Sequence, residues 1–216
     1  MRASCRRTIA AAGACTLASL AGHQEAARAF EVQIAARNPR ILYLQVGVGS
    51  FSGGNYNAGG TPANNATVNV VSVTVPTAQV GTGVAQAMTT NSTAARGFYD
   101  GFAACNLPGQ LYLGAFYRSV TVTGEATLIA TSPQYLVNAA GDRIPFSEIS
   151  WTSTDNRNRG GPNTFPAGNF SGGAQAIGSV KRNRWVENCH TFTYRNTLVV
   201  PGGTYTGRVT YTLSTP

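Results

Sequence analysis

The sequence predicts an all-β protein, an antiparallel immunoglobulin-like β-sandwich with Greek-key connections and one disulfide. Three observations lead to this prediction. Apolar and polar residues alternate with a period of two along most of the chain, as they do in half-buried strands. These segments recur about every eight to fifteen residues, with Gly, Pro and Asn between them. Only 11% of residues are charged while 43% are hydrophobic, which suits sheets with Thr, Ser and Asn on their exposed faces.

Residues 1–29 are predicted to be an export signal peptide, which leaves a single domain at residues 30–216. Three early arginines precede an apolar run at residues 8–22, and Ala27-Arg28-Ala29 has the form of a cleavage site. Removing the segment takes away four arginines and one glutamate, so the formal net charge falls from +8 to +5. No later run has the roughly eighteen apolar residues of a membrane helix. We expect a secreted protein. Because the signal is rich in Ala and Arg, we expect a bacterial source, with the protein in the periplasm, at the cell surface or outside the cell.

The first half of the exported chain contains several recognisable patterns. Residues 30–34 alternate between apolar and polar side chains and predict a strand. The run 40–46 is apolar on both faces, which predicts a strand buried in a core. Residues 47–65 are rich in Gly, Asn and Ser and predict a long turn, while the valines of 68–75 predict a strand with a β-bulge near position 70. Residues 93–104 alone have some helical character, which two glycines weaken.

The second half of the exported chain is a series of strand patterns interrupted by one long loop. The loop, at 154–163, is rich in Gly, Asn and Arg. The predicted strands lie at 111–117, 120–123, 126–131, 149–152, 174–180, 184–194, 197–200 and 205–213. No internal repeat and no linker divides this part of the chain.

Two of the four cysteines, Cys105 and Cys189, lie in the exported domain. An even pair in an exported chain predicts one disulfide. The disulfide would close a loop of about eighty residues. Closing this loop lowers the chain entropy of the unfolded state, which stabilises the fold by roughly 4 kcal/mol. Two buried free thiols are the alternative.

The exported chain holds few of the groups that perform catalysis. Its one histidine, His190, follows Cys189 in a strand pattern, and neighbours in a strand point to opposite faces, so these two do not form a dyad. We interpret His190 as a half-buried or surface residue of a sheet. The acids are scattered, and no metal-binding or nucleotide-binding motif is present. The sequence therefore predicts a protein with no catalytic residues, metal or cofactor; a hydrolase with two carboxylates is the alternative.

Cationic residues near an aromatic ring form a second candidate site. This set could hold a polyanion such as an anionic glycan, because guanidinium groups pair with carboxylate, sulfate or phosphate and stack on rings. Its members are Arg157, Arg159, Lys181, Arg182, Arg184 and Trp185. A solvated hairpin that keeps a sheet edge from self-pairing is the alternative interpretation. The modest net charge does not indicate a nucleic-acid partner.

Both ends of the exported chain resemble bacterial surface subunits. The segment Gly203-Thr204-Tyr205-Thr206-Gly207, followed by alternating Val209, Tyr211 and Leu213, resembles the closing strand of pilin-like and spore-coat-U-like secreted domains. Phe30, Val32 and Ile34 resemble the donor segment that such subunits insert into a neighbour. The resemblance implies a fibre or cell-surface subunit that binds copies of itself, or other surface subunits, by strand addition. A monomer whose first strand pairs within its own domain is left open, as is a glycan-binding module.

Overall fold

The computed structural model of the chain is built from antiparallel strands, which confirms the predicted all-β class. It describes residues 41–52, 55–56, 69–102, 104–119, 123–155 and 165–215. All of them belong to one compact unit, residues 36–216. The predicted signal peptide, the strand pattern at 30–34 and most of the predicted loop at 154–163 lie outside the described residues. No helix in the described ranges has the length and apolar character that a membrane span requires.

The described residues form fifteen strands and two three-residue 3-10 helices. The 3-10 helices are Thr77–Gln79 and Phe146–Glu148. The strands are β1 Ile41–Val46, β2 Gly49–Ser52, β3 Asn55–Tyr56, β4 Val71–Ser72, β5 Gln86–Ala87, β6 Thr89–Thr90, β7 Leu111–Arg118, β8 Glu125–Ser132, β9 Tyr135–Val137, β10 Arg143–Pro145, β11 Ile149–Thr154, β12 Gly168–Asn169, β13 Gly173–Lys181, β14 Arg184–Tyr194 and β15 Thr210–Ser214.

Two sheets make up the body of the fold. The larger sheet has the order β12-β11-β14-β7-β1-β2-β3, and β5 also pairs with β14. The smaller sheet has the order β13-β8-β15. Two short pairs, β9 with β10 and β4 with β6, complete the described strands. All strand pairs in the described part of the chain are antiparallel.

The main core is formed by the alternating side chains of both sheets. Leu111, Leu113 and Ala115 of β7 are buried together with Leu128 of β8 and Val180 of β13. A buried leucine or valine contributes about 1.5–3 kcal/mol to folding, so this shared core holds the two sheets against each other. The core-facing side chains of β1 are only half-buried, and the core is therefore less covered on the β1 side than at β7.

Several sequence predictions are confirmed and others are wrong. The strands predicted at 40–46, 111–117, 126–131, 149–152, 174–180 and 184–194 are present. The predicted long turn is wrong at its start, where β2 and β3 extend the sheet by backbone pairing that needs no apolar pattern. The described residues of 93–104 form no helix, because glycines and the contacts described below favour a loop. Residues 197–200 form no strand, and the last predicted strand is limited to β15.

Candidate functional site

One loop covers the face of the larger sheet that points away from the core. We call this the outer face, and the loop runs from residue 92 to Cys105. Cys105 forms a disulfide with Cys189 of β14, with an S–S distance of 2.02 Å and a sequence separation of 84. The predicted disulfide is thus confirmed. Cys189 is fully buried, and its alternation with His190 places the two on opposite faces of the strand.

Glycines let the loop and the sheet approach each other around one tyrosine hydroxyl. A Cβ atom on Gly97 would lie 2.6 Å from the Tyr112 hydroxyl oxygen, and one on Gly114 would lie 2.7 Å from the same atom. The Tyr112 hydroxyl donates a 2.8 Å hydrogen bond to Glu187 Oε2, and Trp185 Nε1 donates to the same oxygen at 3.3 Å. Burial and this hydrogen bond raise the pKa of Tyr112, so the hydroxyl stays a donor.

A fully buried glutamine joins the loop to β1. Gln45 Nε2 donates hydrogen bonds to the backbone oxygens of Gly47 and Arg96, both at 3.0 Å. Gln45 Oε1 accepts hydrogen bonds from the Tyr43 hydroxyl at 2.9 Å and from the Phe98 backbone N–H at 2.8 Å. Because the side chain bonds to the backbone on both sides of Gly97, it holds that part of the loop in one conformation.

Four aromatic rings from four distant segments stack on the outer face. Tyr99 lies over Trp185 at a centroid distance of 4.9 Å and over Phe116 at 5.8 Å, with interplanar angles of 26° and 20°. Tyr43 contacts Trp185 at 5.4 Å and Tyr99 at 6.0 Å. Tyr43 is only 7% exposed, whereas Tyr99 is 61% exposed. Burial, with a smaller effect of Asp100, raises the pKa of Tyr43 to about 12. Tyr99 is therefore the outermost ring of the stack.

The same loop exposes two further aromatic side chains. Phe98 is 52% exposed and Phe102 is 64% exposed. Large apolar side chains that stay in water on a loop held by a disulfide are typical of contact surfaces. We call the whole set the aromatic face: Tyr43, Phe98, Tyr99, Phe102, Phe116 and Trp185.

Three of the predicted cationic residues belong to the described part of the chain, and they lie at one end of the aromatic face. Lys181, Arg182 and Arg184 are all exposed, and they lie in and beside the tight turn that connects β13 to β14. Asn183 forms that turn with a φ of 59°. The next residue of β14 is Trp185, and alternation along the strand directs the side chains of Arg184 and Trp185 to opposite faces. Arg157 and Arg159 lie outside the described residues.

The residues of the predicted closing strand line the core near its less covered side. Tyr211 and Leu213 belong to β15, Val209 precedes it, and all three are half-buried against the main core. β15 pairs with β8 along one side, and no described strand pairs with its other side. The predicted donor residues Phe30, Val32 and Ile34 lie outside the described residues.

The one histidine of the described chain is an interior residue. His190 is almost fully buried, where the sequence suggested a half-buried or surface position, and its ring stacks on Trp151 at 5.9 Å. Burial lowers its pKa to about 4, with a smaller opposing effect of the Phe165 backbone. His190 is therefore neutral near pH 7 and is packed among aromatic rings, so it has no access to a substrate.

Two buried glutamates are occupied by structural hydrogen bonds. Glu148 accepts from the Thr197 backbone N–H at 2.9 Å and from its hydroxyl at 2.8 Å, while Glu187 accepts from the outer-face donors described above. Among the described residues, no group of three or more His, Cys, Asp and Glu side chains could hold a metal ion.

Sequence reasoning identified Trp185 but missed the other members of the aromatic face. The available signal was the cluster of aromatic residues between glycines at 97–102, which the weak helical pattern obscured.

Comparisons with protein-family models, with curated proteins and with solved structures each found no match for this chain.

Proposed function

We propose that the protein is a secreted, non-enzymatic structural protein of a bacterium, a pilin-like fibre or cell-surface subunit joined to its neighbours by strand addition. The single observation that carries the proposal is the edge of β15. This strand pairs on one side only within the described chain, and it borders the less covered side of the core.

In this proposal the fold is an immunoglobulin-like sandwich with Greek-key connections. The alternation of strands between the sheets supports it. β7 belongs to the larger sheet, β8 to the smaller, β11 to the larger, β13 to the smaller, β14 to the larger and β15 to the smaller. Repeated crossing between two antiparallel sheets is typical of such sandwiches.

Strand addition requires an unpaired edge and pockets for alternate side chains. Beside the edge of β15, Tyr211 and Leu213 are half-buried, and so are Leu42 and Leu44 on the facing strand β1. A further extended apolar segment would complete their burial. Its apolar side chains would each contribute about 1.5–3 kcal/mol, and its backbone would pair with the free side of β15.

The alternating residues Phe30, Val32 and Ile34 have the pattern that this edge requires. When the segment comes from a second copy, each subunit completes the next, head to tail, and an open filament forms. The mass of the exported full chain, measured by light scattering over a range of concentrations, tests this. We expect multimers from the full chain and a monomer after deletion of residues 30–36.

Two point variants separate the apolar side of the segment from its polar side. Val32→Asp with Ile34→Asp places charges where the core requires apolar groups, and we expect monomers. Glu31→Ala with Gln33→Ala changes the other side, and we expect multimers. A full chain that is monomeric at every concentration would overturn the proposal, as would multimers that survive the aspartate substitutions.

A further inference from the structure

The aromatic face presents one flat ring to solvent, and that ring is supported from below. Tyr99 lies nearly parallel to Trp185 and Phe116, so one side of its ring rests on the sheet and the other is open. The loop that carries Tyr99 is tied down by the disulfide of Cys105 and by Gln45. The ring is therefore held in place before any ligand arrives, which lowers the entropy cost of binding.

Basic side chains border this ring at one end. Arg118 follows Phe116 by two residues on β7, so both lie on the outer face. Arg184 directly precedes Trp185 and pairs in register with Tyr117, so its side chain starts from the opposite face of β14, at the exposed end of that strand. Lys181 and Arg182 continue the positive charge into the exposed turn.

The nearby acidic side chains bond to this chain's own groups. Glu187 is buried below the stack and accepts from Trp185. Asp100 accepts from the backbone N–H of Phe102 at 3.2 Å. Glu125 accepts from the Ser179 hydroxyl. The basic side chains at this end (Arg118, Lys181, Arg182 and Arg184) outnumber the carboxylates of Asp100 and Glu125, so the net charge there is positive.

We propose that the aromatic face binds an acidic polysaccharide, with a pyranose ring on Tyr99 and the anionic group of the sugar at Arg118. The C–H groups on one side of a pyranose pack well on a flat aromatic ring, and guanidinium groups pair with carboxylate or sulfate in a fixed geometry. The charge complementarity and the flat ring together favour this ligand over a second copy of the chain, which would carry the same positive charge. The site is independent of strand addition.

Binding of the exported full chain to polygalacturonate, followed by the fluorescence of its tryptophans, tests the proposal. Methyl-esterified polygalacturonate has the same sugar rings without the charge, and heparin carries sulfates in addition to the carboxylates of its uronic acids. We expect binding to polygalacturonate or heparin that weakens with salt, and much weaker binding to the ester. Tyr99→Ala is expected to weaken binding by about tenfold or more, since the loss of one stacking contact has that effect. Tyr99→Phe should retain binding.

A second Tyr/Arg pair provides the matched control. Arg143 lies 5.4 Å from the ring centre of Tyr135 on the β9–β10 hairpin. Tyr135→Ala with Arg143→Ala should leave binding unchanged, whereas Arg118→Ala should weaken it strongly. Failure to bind either anionic polymer at low salt would overturn the proposal, as would binding that Tyr99→Ala leaves intact. Binding to vesicles of phosphatidylglycerol alone would instead assign the face to a membrane, and multimers lost only in Tyr99→Ala would assign it to a second copy.

Discussion

Replacement of Gln45 by leucine tests whether the aromatic loop is held as described. The glutamine side chain makes four hydrogen bonds, three of them to backbone groups of Gly47, Arg96 and Phe98. At about 1 kcal/mol for each bond, their loss costs about 4 kcal/mol, and the additional apolar burial of leucine offsets about 1 kcal/mol. We therefore expect Gln45→Leu to lower the free energy of unfolding by about 3 kcal/mol.

Urea denaturation measures this change, and amide hydrogen exchange locates it. The Phe98 N–H donates to Gln45 Oε1, so its exchange should become much faster in the variant while the strands of the core stay protected. Gln134→Leu is the control, because Gln134 is exposed and its replacement should change stability by less than about 0.5 kcal/mol. The described role of Gln45 would be refuted if Gln45→Leu had the same free energy of unfolding as the wild type, or if the exchange rate of the Phe98 amide were unchanged.

Three further predictions concern the stability of the fold. The pKa of His190 is about 4 in the native state and about 6.5 in the unfolded state, so the stability present above pH 6.5 should fall by about 3 kcal/mol toward pH 4. Denaturation measured at both pH values should show a smaller fall in stability for His190→Gln. Equal falls in the variant and the wild type would contradict the assignment. Replacing Cys105 and Cys189 together by serine should cost about 4 kcal/mol in the same assay, since the cross-link joins residues 84 apart, and an unchanged denaturation midpoint would be inconsistent with this. Asn196→Gly should lower the free energy of unfolding by about 2 kcal/mol, because this buried side chain bonds to the 77–83 segment. Asn183→Gly, at an exposed turn with a similar φ, should be nearly neutral. Equal effects at the two sites would argue against a stabilising role of the Asn196 side chain.

The parts of the fold that sequence predicts well are those whose side chains show the burial directly. β8 alternates buried Ala126, Leu128 and Ala130 with less buried neighbours, so its period of two is visible. β2 and β3 are not visible in this way, because they join the sheet edge through backbone pairing in a Gly- and Ser-rich stretch. The β9–β10 hairpin was missed because each of its strands has only three residues.

The candidate site was predictable only where its members are neighbours in sequence. The disulfide follows from an even number of cysteines, and Trp185 is next to Arg184. Tyr43 and Tyr99 reach Trp185 only through the tertiary fold. Gln45 lies in a strand that the sequence suggests is buried on both faces, and no local pattern indicates that its amide bonds to Phe98 in a loop 53 residues away.

Cross-linking between separately tagged copies tests strand addition most directly. One copy carries Val32→Cys and the other carries Leu213→Cys. Directly opposed side chains on paired strands are close enough for a disulfide. A second experiment combines Val32→Cys with Tyr211→Cys and so tests the neighbouring register. We expect covalent dimers that contain both tags, and none when Thr212→Cys, on the other side of β15, replaces these positions. A cross-link that forms only within single chains carrying both cysteines would contradict strand addition between subunits.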